Sequence, residues 1–281
     1  MSYERETHKA AAEARRIEMT KDQKTLNILV ANDDGIGARG MRALVDALRR
    51  ELGAKIYIFA PDGQRSAASH AISLRGTIDM WQVDYEGAEA AFALTGSPAD
   101  CVAVGTKIMR DKGIPIDLMF AGINHGSNVG TDTVYSGTVG CAMEGSIQGI
   151  PSVAVSVDNH HAEHFEYACS LAVDVIRKTG GKWDSNVMLN INTPDLPADQ
   201  IKGVKYTVIG EREYENDIQL VREDGGIATY KYGGEPLHYE GRPDTFDVIA
   251  IQEGYASITP LQRDTTAHSA KPDLEKWRIG K

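Results

Sequence analysis

The sequence predicts an α/β fold in which helices pack against a largely parallel β-sheet. The apolar run 26–31 ends in Asn32-Asp33-Asp34-Gly35, and a helical pattern with apolar residues on one face follows it. The run 55–60 is also apolar and β-branched, so the three segments form a βαβ unit. This alternation continues to about residue 195, beyond which short runs alternate as exposed β-strands do. One α/β domain with a β-rich arm is expected.

Capping signals mark the ends of several elements. Gly53 follows the first helix, at a position that favours a left-handed residue. Ser97 and Pro98 have the N-cap and first-turn pattern of a second helix, and Ser136 caps a third. The remaining runs are assigned by their apolar period. The predicted strands are 26–31, 55–60, 75–83 with 90–94 as an accessory hairpin, 116–121, 151–157, 186–192, 205–210, 217–222, 226–232 and 255–260, and the helices are 40–52, 98–109, 137–148, 164–179 and 246–252.

The chain is expected to be a single domain with two additions. Residues 1–24 are polar and form an N-terminal extension to the domain, which spans 25–281. About 201–245 form the projecting arm, and a hairpin that leaves the core must cover its edges. A second subunit is the economical partner for it.

Composition excludes several classes of protein. The net charge of −10 argues against a broad surface for nucleic-acid polymers or anionic membranes. No apolar run reaches the roughly 18 residues that span a bilayer. Cys101, Cys141 and Cys169 are far apart and odd in number. They indicate buried thiols in a reducing compartment, so the cytoplasm is the expected location.

Four polar segments follow predicted core strands or open a helix. They are Asn32-Asp33-Asp34-Gly35, then 61–66 with His70 close behind, 122–130 and Ser136-Gly137-Thr138. Because the carboxyl ends of parallel strands meet at one edge of a sheet, these segments can converge. Two carboxylates, a hydroxyl and an amide oxygen suit a hard cation such as Mg²⁺, Mn²⁺ or Ca²⁺. Ser136 at a helix N-terminus offers a phosphate site, so the segments together predict metal-assisted phosphoryl chemistry.

The same segments resemble a known family. The chain is similar to the SurE family of survival proteins, which are metal-dependent 5′/3′-nucleotidases. The resemblance covers residues 28 to 260 and is carried, in family order, by Ile28-Leu-Val-Ala-Asn-Asp-Asp-Gly35, Ala60-Pro-Asp-Gly-Gln-Arg-Ser66, Thr95-Gly-Ser-Pro-Ala-Asp-Cys-Val102, Gly122-Ile-Asn-His-Gly-Ser-Asn128, Tyr135-Ser-Gly-Thr-Val139, Ala142-Met-Glu-Gly145 and Glu253-Gly-Tyr-Ala-Ser-Ile-Thr-Pro260.

The resemblance implies a fold, a cofactor and a set of roles. The fold would be Rossmann-like and three-layered, with dimers or tetramers formed through a swapped C-terminal arm. One divalent cation, Mg²⁺ or Mn²⁺ with Ca²⁺ able to occupy the site, would be bound by Asp33, Asp34, Ser66 and Asn124. Asn32 and Asn128 would orient ligands or phosphate beside it, and Ser136, Gly137 and Thr138 would hold the phosphate of a nucleoside monophosphate.

Some assignments stay open. His70 and His125 are candidates for moving a proton, as is a water on the cation, and local packing is an equal alternative for both histidines. His160, His161 and His164 are interpreted as a solvated face, and Glu144 either orients a ligand or is a buried partner. Two other functions compete: an aspartyl-phosphate phosphatase, although Gly35 stands where that chemistry needs its second acid, and a nucleotide-binding protein without activity.

Overall fold

The computed structural model describes residues 25–215 and 218–266. The predicted N-terminal extension, residues 1–24, lies outside these ranges, as do residues 216–217 and 267–281. The strands are β1 Asn27–Ala31, β2 Lys55–Pro61, β3 Met80–Val83, β4 Ala90–Leu94, β5 Leu118–His125, β6 Ser152–Val157, β7 Val187–Thr193, β8 Val204–Tyr206, β9 Tyr214–Glu215, β10 Ile218–Asp224, β11 Ile227–Tyr232, β12 Glu235–Pro236 and β13 Ala256–Gln262. The helices are α1 Arg39–Leu52, α2 Pro98–Asp111, α3 Gly137–Ile147, α4 Glu166–Thr179 and α5 Asp247–Gln252, with a 3₁₀ turn at Gly130–Val134.

Nine strands form the central sheet, in the order β3-β4-β2-β1-β5-β6-β7-β13-β8. The six strands from β4 to β7 are parallel to their neighbours, whereas β3 and β13 pair antiparallel with β4 and β7. This is the predicted α/β fold with a largely parallel sheet, and the prediction is confirmed.

Two apolar cores cover the two faces of this sheet. In β1, Ile28 and Val30 pack into the core that holds α1 and α4, while Leu29 and Ala31 pack into the core of α2 and α3. A parallel strand that is buried on both faces has a continuous apolar sequence, as the run 26–31 does. The result is a three-layer arrangement of helices, sheet and helices.

The capping signals act as predicted. Gly53 ends α1 in the left-handed conformation, with φ of 61°. Ser97 and Asp100 form a reciprocal capping box at the start of α2, where Pro98 occupies the first turn. The hydroxyl of Ser136 accepts a hydrogen bond from the backbone N–H of Val139 and so caps α3.

Three segments differ from their predicted form. β3 is shorter than predicted, and β4 pairs in parallel with β2, so the predicted accessory hairpin extends the main sheet instead. β5 continues to His125, because Asn124 and His125 pair with β6 beyond an irregularity in register. The polar segment 122–130 therefore begins within β5, and the loop that follows starts at Gly126 and contains the 3₁₀ turn. The glycines and polar residues of this segment predicted a loop. The segment continues as a strand as far as His125 because Asn124 and His125 pair with β6.

The β-rich segment after β7 divides between the sheet and the arm. β8 joins the main sheet beside β13, and it is shorter than the predicted strand 205–210. β10 and β11 form a two-stranded hairpin whose residues are all exposed, and β9 pairs with β12 at its base. Among the described residues, no helix is both long and apolar enough to cross a bilayer.

Candidate active site

The candidate site lies where the order of the sheet reverses. From β1 the chain crosses to β2 on one side, and β5 lies on the other side of β1. The segments that follow β1 and β5 leave the sheet at the same edge, which is where open α/β sheets bind ligands. The N-terminus of α3 and the segment after β2 also reach this point, as the contacts below show.

Asn32 shapes the turn that carries the two carboxylates. Its side-chain amide donates to the carbonyl oxygen of Gly35 at 2.9 Å and accepts from the N–H of Gly35 at 3.2 Å. Gly35 has φ of +94°, and a Cβ there would lie 2.9 Å from the backbone of Gly63. A residue without a side chain is therefore needed for the turns after β1 and β2 to approach each other.

Asp33 is almost fully buried, with 5% of its surface exposed. Its carboxylate accepts a hydrogen bond from the hydroxyl of Thr138, and its carbonyl oxygen accepts one from the N–H of Arg65 at 2.7 Å. Burial raises the pKa of Asp33 to about 6; the charge of Asp34 adds to this rise, and the bond from Thr138 opposes it. A buried carboxylate beside a second one is stabilised as an anion by a bound cation.

Asp34 is paired with His125. One carboxylate oxygen of Asp34 lies 3.0 Å from Nδ1 of His125 and 3.1 Å from its backbone nitrogen. The imidazole also packs edge-on against the ring of Phe165. With Nδ1 and one edge of the ring engaged, Nε2 is the ring nitrogen that can serve a ligand.

Ser66 and Asn124 each present an oxygen that can coordinate a cation. The amide nitrogen of Asn124 donates to the carbonyl of Gly126 at 2.8 Å, so its oxygen is the atom available for coordination. The hydroxyl of Ser66 is exposed and accepts a hydrogen bond from Gln64 at 2.9 Å. Asp33, Asp34, Ser66 and Asn124 thus offer oxygen ligands only, a donor set that fits Mg²⁺, Mn²⁺ or Ca²⁺.

The N-terminus of α3 packs directly on Asp33. A Cβ at Gly137 would lie 2.8 Å from Cβ of Asp33 and 2.9 Å from one of its carboxylate oxygens. The first N–H groups of a helix have no partner within the helix, and its dipole favours an anion there. The Ser136 hydroxyl accepts a hydrogen bond in its cap but keeps its own proton to donate, so this hydroxyl and the N–H of Gly137 are donors available for a phosphate.

Asn128 lies in the buried anchor of the segment after β5. Its N–H donates to Asn192 at 2.7 Å, its carbonyl accepts from Asn190 at 2.8 Å, and its own amide donates to Ser156 at 2.9 Å. Asn190 and Asn192 on β7 were not predicted to have a role near the site. Their sequence signal is a pair of amides at alternate positions of a strand that is otherwise apolar.

The other candidate residues have partners elsewhere. Nε2 of His70 lies 2.9 Å from the carboxylate of Glu144. Glu144 comes eight residues after Ser136, which places it about 12 Å along α3 from the N-terminus of that helix. The hydrogen bond with His70 lowers the pKa of Glu144, which is a buried partner of this histidine.

His160, His161, His164 and the three cysteines are not grouped as metal ligands. His164 pairs with Asp195 at 3.0 Å, and His160 and His161 are exposed. Within residues 25–215 and 218–266, no three His, Cys, Asp or Glu side chains are grouped as metal ligands. The three cysteines are buried and free, as predicted.

Comparison with known proteins gives a consistent set of relatives. The family model described as Survival protein SurE matches residues 28–216. A 5′-nucleotidase SurE from Synechococcus sp. (strain JA-3-3Ab) is 38% identical over 257 residues, which are 90% of this chain and 98% of that protein. A 5′/3′-nucleotidase SurE from Cronobacter sakazakii (strain ATCC BAA-894) is 38% identical over 254 residues, covering 90% of this chain and 96% of that protein.

A solved structure shares the fold. The crystal structure of the SurE protein from Aquifex aeolicus matches with a TM-score of 0.76 and 33% identity, covering 89% of this chain and 99% of that one. The family model spans the strand ends that build the site. The chain belongs to the SurE family.

Proposed function

We propose that this chain is a divalent-cation-dependent nucleotidase that hydrolyses nucleoside 5′-monophosphates to nucleoside and phosphate, with 3′-monophosphates as a second substrate class. The hydrogen bond between Thr138 and Asp33 carries the proposal, because it joins the helix N-terminus that suits a phosphate to the carboxylates that suit a cation. The names of the Synechococcus and Cronobacter relatives record 5′- and 5′/3′-nucleotidase activity, which supports this reaction class.

The cation would be held by Asp33, Asp34, Ser66 and Asn124. The burial of Asp33 supports this assignment, since a carboxylate with 5% exposure is stabilised as an anion by a positive partner. In the part of the chain that the structure describes, the ion pair recorded for these two carboxylates is the one between Asp34 and His125. When bound, the cation supplies positive charge for the phosphoryl oxygens and activates water for attack.

The chain's own residues supply positioning and a proton. The start of α3, at Ser136, Gly137 and Thr138, would hold the phosphoryl oxygens, with the N–H of Gly137 and the hydroxyl of Ser136 as donors, since the N–H of Thr138 bonds to Asp33. Asp34 orients His125 through Nδ1, so Nε2 would donate a proton to the leaving ribose oxygen. His70 is a weaker candidate for this role, because its Nε2 is engaged by Glu144. Asn32 and Asn128 would act by holding the turns that carry these groups.

Phosphate release from a panel of 5′- and 3′-mononucleotides tests the proposal, first with Mn²⁺ or Mg²⁺ and then with chelator. We expect release with cation and none after thorough chelation. Asp33→Asn and Asp34→Asn should each lower kcat/KM on the order of 10²-fold or more, because each removes a charge that binds the cation. Asp84→Asn, an exposed carboxylate outside the site, is the control that should keep full activity.

The same assay separates the competing functions. Activity that survives chelation would contradict the metal mechanism. A phosphorylated enzyme that is lost in Asp33→Asn would indicate an aspartyl-phosphate phosphatase. No release from any mononucleotide, with binding retained, would indicate a nucleotide-binding protein without activity.

The assembly and the location follow from other features of the chain. We propose that it forms homodimers or homotetramers through the β10–β11 hairpin, because Leu220 and Tyr230 are paired across this hairpin and more than half exposed.

Three free, buried cysteines support a reducing location, the cytoplasm.

A further inference from the structure

The segment Gly126–Ser136, here called the site loop, connects β5 to α3. It follows His125 directly and ends at Ser136, the N-cap of α3, so its position sets where the helix N-terminus lies. Inside the loop, the carbonyl oxygen of Asp132 accepts hydrogen bonds from the N–H groups of Tyr135 and Ser136. A displacement of Asp132 would therefore be passed on to the proposed phosphate site.

Arg212, at the base of the arm, binds this loop through its side chain. The guanidinium is largely buried, with 14% of the side chain exposed, and one of its NH groups donates to the hydroxyl of Ser127 at 2.7 Å. It also forms ion pairs with Asp132 at 3.4 Å and Asp158 at 3.9 Å. Ser127 in turn donates to Asp158, so the guanidinium of Arg212 links the loop, the end of β6 and the arm.

Main-chain and neighbouring contacts reinforce this link. The hydroxyl of Thr131 donates to the carbonyl of Arg212 at 2.6 Å, and Tyr214 donates to the carboxylate of Asp132. A Cβ at Gly130 would lie 3.0 Å from Cβ of Arg212, so the two backbones are in close contact. The base of the arm and the site loop are therefore packed together as one unit.

We infer that Arg212 is a positioning residue for the reaction proposed above, and that it acts by holding the site loop in the conformation that binds phosphate. This inference rests on the proposed function. A guanidinium is suited to the task, since its planar fork contacts Ser127, Asp132 and Asp158 at once, whereas an ammonium on a flexible stem is a point charge. If the loop populates the binding conformation less, apparent affinity falls by that fraction, while a saturating substrate restores the competent state.

The test compares Arg212→Gln and Arg212→Lys with Arg242→Gln. Arg242 is a matched control, because it lies on the same arm but pairs with Glu211 at the surface, with 43% of its side chain exposed. For both Arg212 variants we expect KM for a mononucleotide and Ki for inorganic phosphate to rise about tenfold, with kcat within about twofold. The control should leave all three unchanged. Amide hydrogen exchange in residues 126–136 should become faster in the Arg212 variants and stay unchanged in Arg242→Gln.

Tyr214→Phe provides a second variant, which keeps the guanidinium of Arg212 and removes one hydrogen bond to Asp132. A smaller rise in KM and a partial loss of exchange protection are expected. Unchanged KM together with unchanged protection in the Arg212 variants would overturn the inference, as would an equal effect of Arg242→Gln. A fall in kcat without a change in KM or Ki would also contradict it, because it would mean that Arg212 acts on the chemical step.

Exchange and turnover report on different claims. If the unmodified protein hydrolyses no mononucleotide, the proposed nucleotidase function fails. Phosphate binding and exchange protection, measured on the same variants, then still decide whether Arg212 orders the loop for an anion.

Discussion

At the scale of single residues, the approach of α3 to Asp33 depends on a missing side chain. Gly137 lies so close to this carboxylate that no Cβ fits between them, and Pro98 closes the space from α2, 3.1 Å from the same point. In the proposed site, the helix N-terminus and the carboxylate would share one ligand, which requires both to be held at this separation. On that proposal, the absence of a side chain at position 137 serves function as well as packing.

Gly137→Ala should move Asp33 while leaving the fold intact. A displacement of about 1 Å in a catalytic group costs on the order of 10²-fold in rate, so we expect a loss of that size in kcat/KM. Gly37→Ala is the control, since a Cβ there meets nothing within 4 Å. Steady-state kinetics with a mononucleotide and Mn²⁺ measure both. Full activity in the Gly137 variant would show that the site tolerates a wider separation.

Residue types were predictable from the sequence, but several partners were not. The acids at the end of β1 and the cap at Ser136 are local signals, which the chain displays within a few residues. The pairing of Asp34 with His125, and of His70 with Glu144, joins residues 91 and 74 positions apart. Such contacts depend on which strands are neighbours, and nothing in the local pattern states that.

At the scale of elements, the start of α2 supports the segment that leads to the site. Asp100 accepts hydrogen bonds from the N–H of Ser73 at 2.9 Å and its hydroxyl at 2.7 Å, as well as from the N–H of Ser97 at 2.8 Å. Burial alone would raise the pKa of Asp100, but the hydrogen bonds outweigh burial, and its pKa lies below the ordinary value. A carboxylate with this surrounding stabilises the fold while it is ionised.

Asp100→Asn should destabilise the protein by about 2 kcal/mol at pH 7, because hydrogen bonds to an ionised acceptor are replaced by weaker ones. An acid whose pKa is lowered on folding contributes stability above its unfolded pKa and loses it as the pH falls through the folded pKa. The difference between variant and unmodified protein should therefore shrink below about pH 4. Urea unfolding at pH 7 and pH 3 measures it.

The control for this experiment lies on the same helix. Asp111 pairs with Lys107 at the surface, with 59% and 65% of the side chains exposed. Asp111→Asn should cost about 0.5 kcal/mol or less, since exposed ion pairs contribute little. A constant difference between Asp100→Asn and the unmodified protein at both pH values would indicate lost packing rather than lost charge.

Local signals also explain which elements were predicted well. The caps of α1, α2 and α3 were predicted because capping is decided by residues within one turn. The extension of β5 to His125 was missed, because it depends on β6 offering partners to a Gly-rich, polar segment. The partner of β4 was missed for the same reason.

At the scale of the whole molecule, the β10–β11 hairpin has an apolar face that is exposed in the single chain. Ile218 is paired with Tyr232 and Leu220 with Tyr230, which places these four side chains on one face. Each is more than half exposed in the single chain. An apolar face of this kind is the expected signature of a subunit contact.

Leu220→Glu combined with Tyr230→Lys should dissociate the proposed oligomer. The two charges would face each other across the hairpin, so the hairpin itself is kept while its apolar face is lost. Sedimentation velocity measures the state of assembly, and Lys231→Ser, on the opposite face, is the control. An unchanged oligomer in the double variant, or a monomer before any change, would contradict the proposed role of the arm.

Asp247 anchors the site loop from a position far along the chain. Its carboxylate accepts hydrogen bonds from the N–H of Gly130 at 3.0 Å, 117 residues earlier, and from the N–H of Gly210 at 2.9 Å. During synthesis, the residues proposed to bind the cation and the phosphate therefore emerge long before this anchor of the site loop does. A nascent chain that stops short of residue 247 can pair β1, β2 and β5, but it leaves Gly130 without this partner. The site loop is thus fully anchored only after residue 247 has been made.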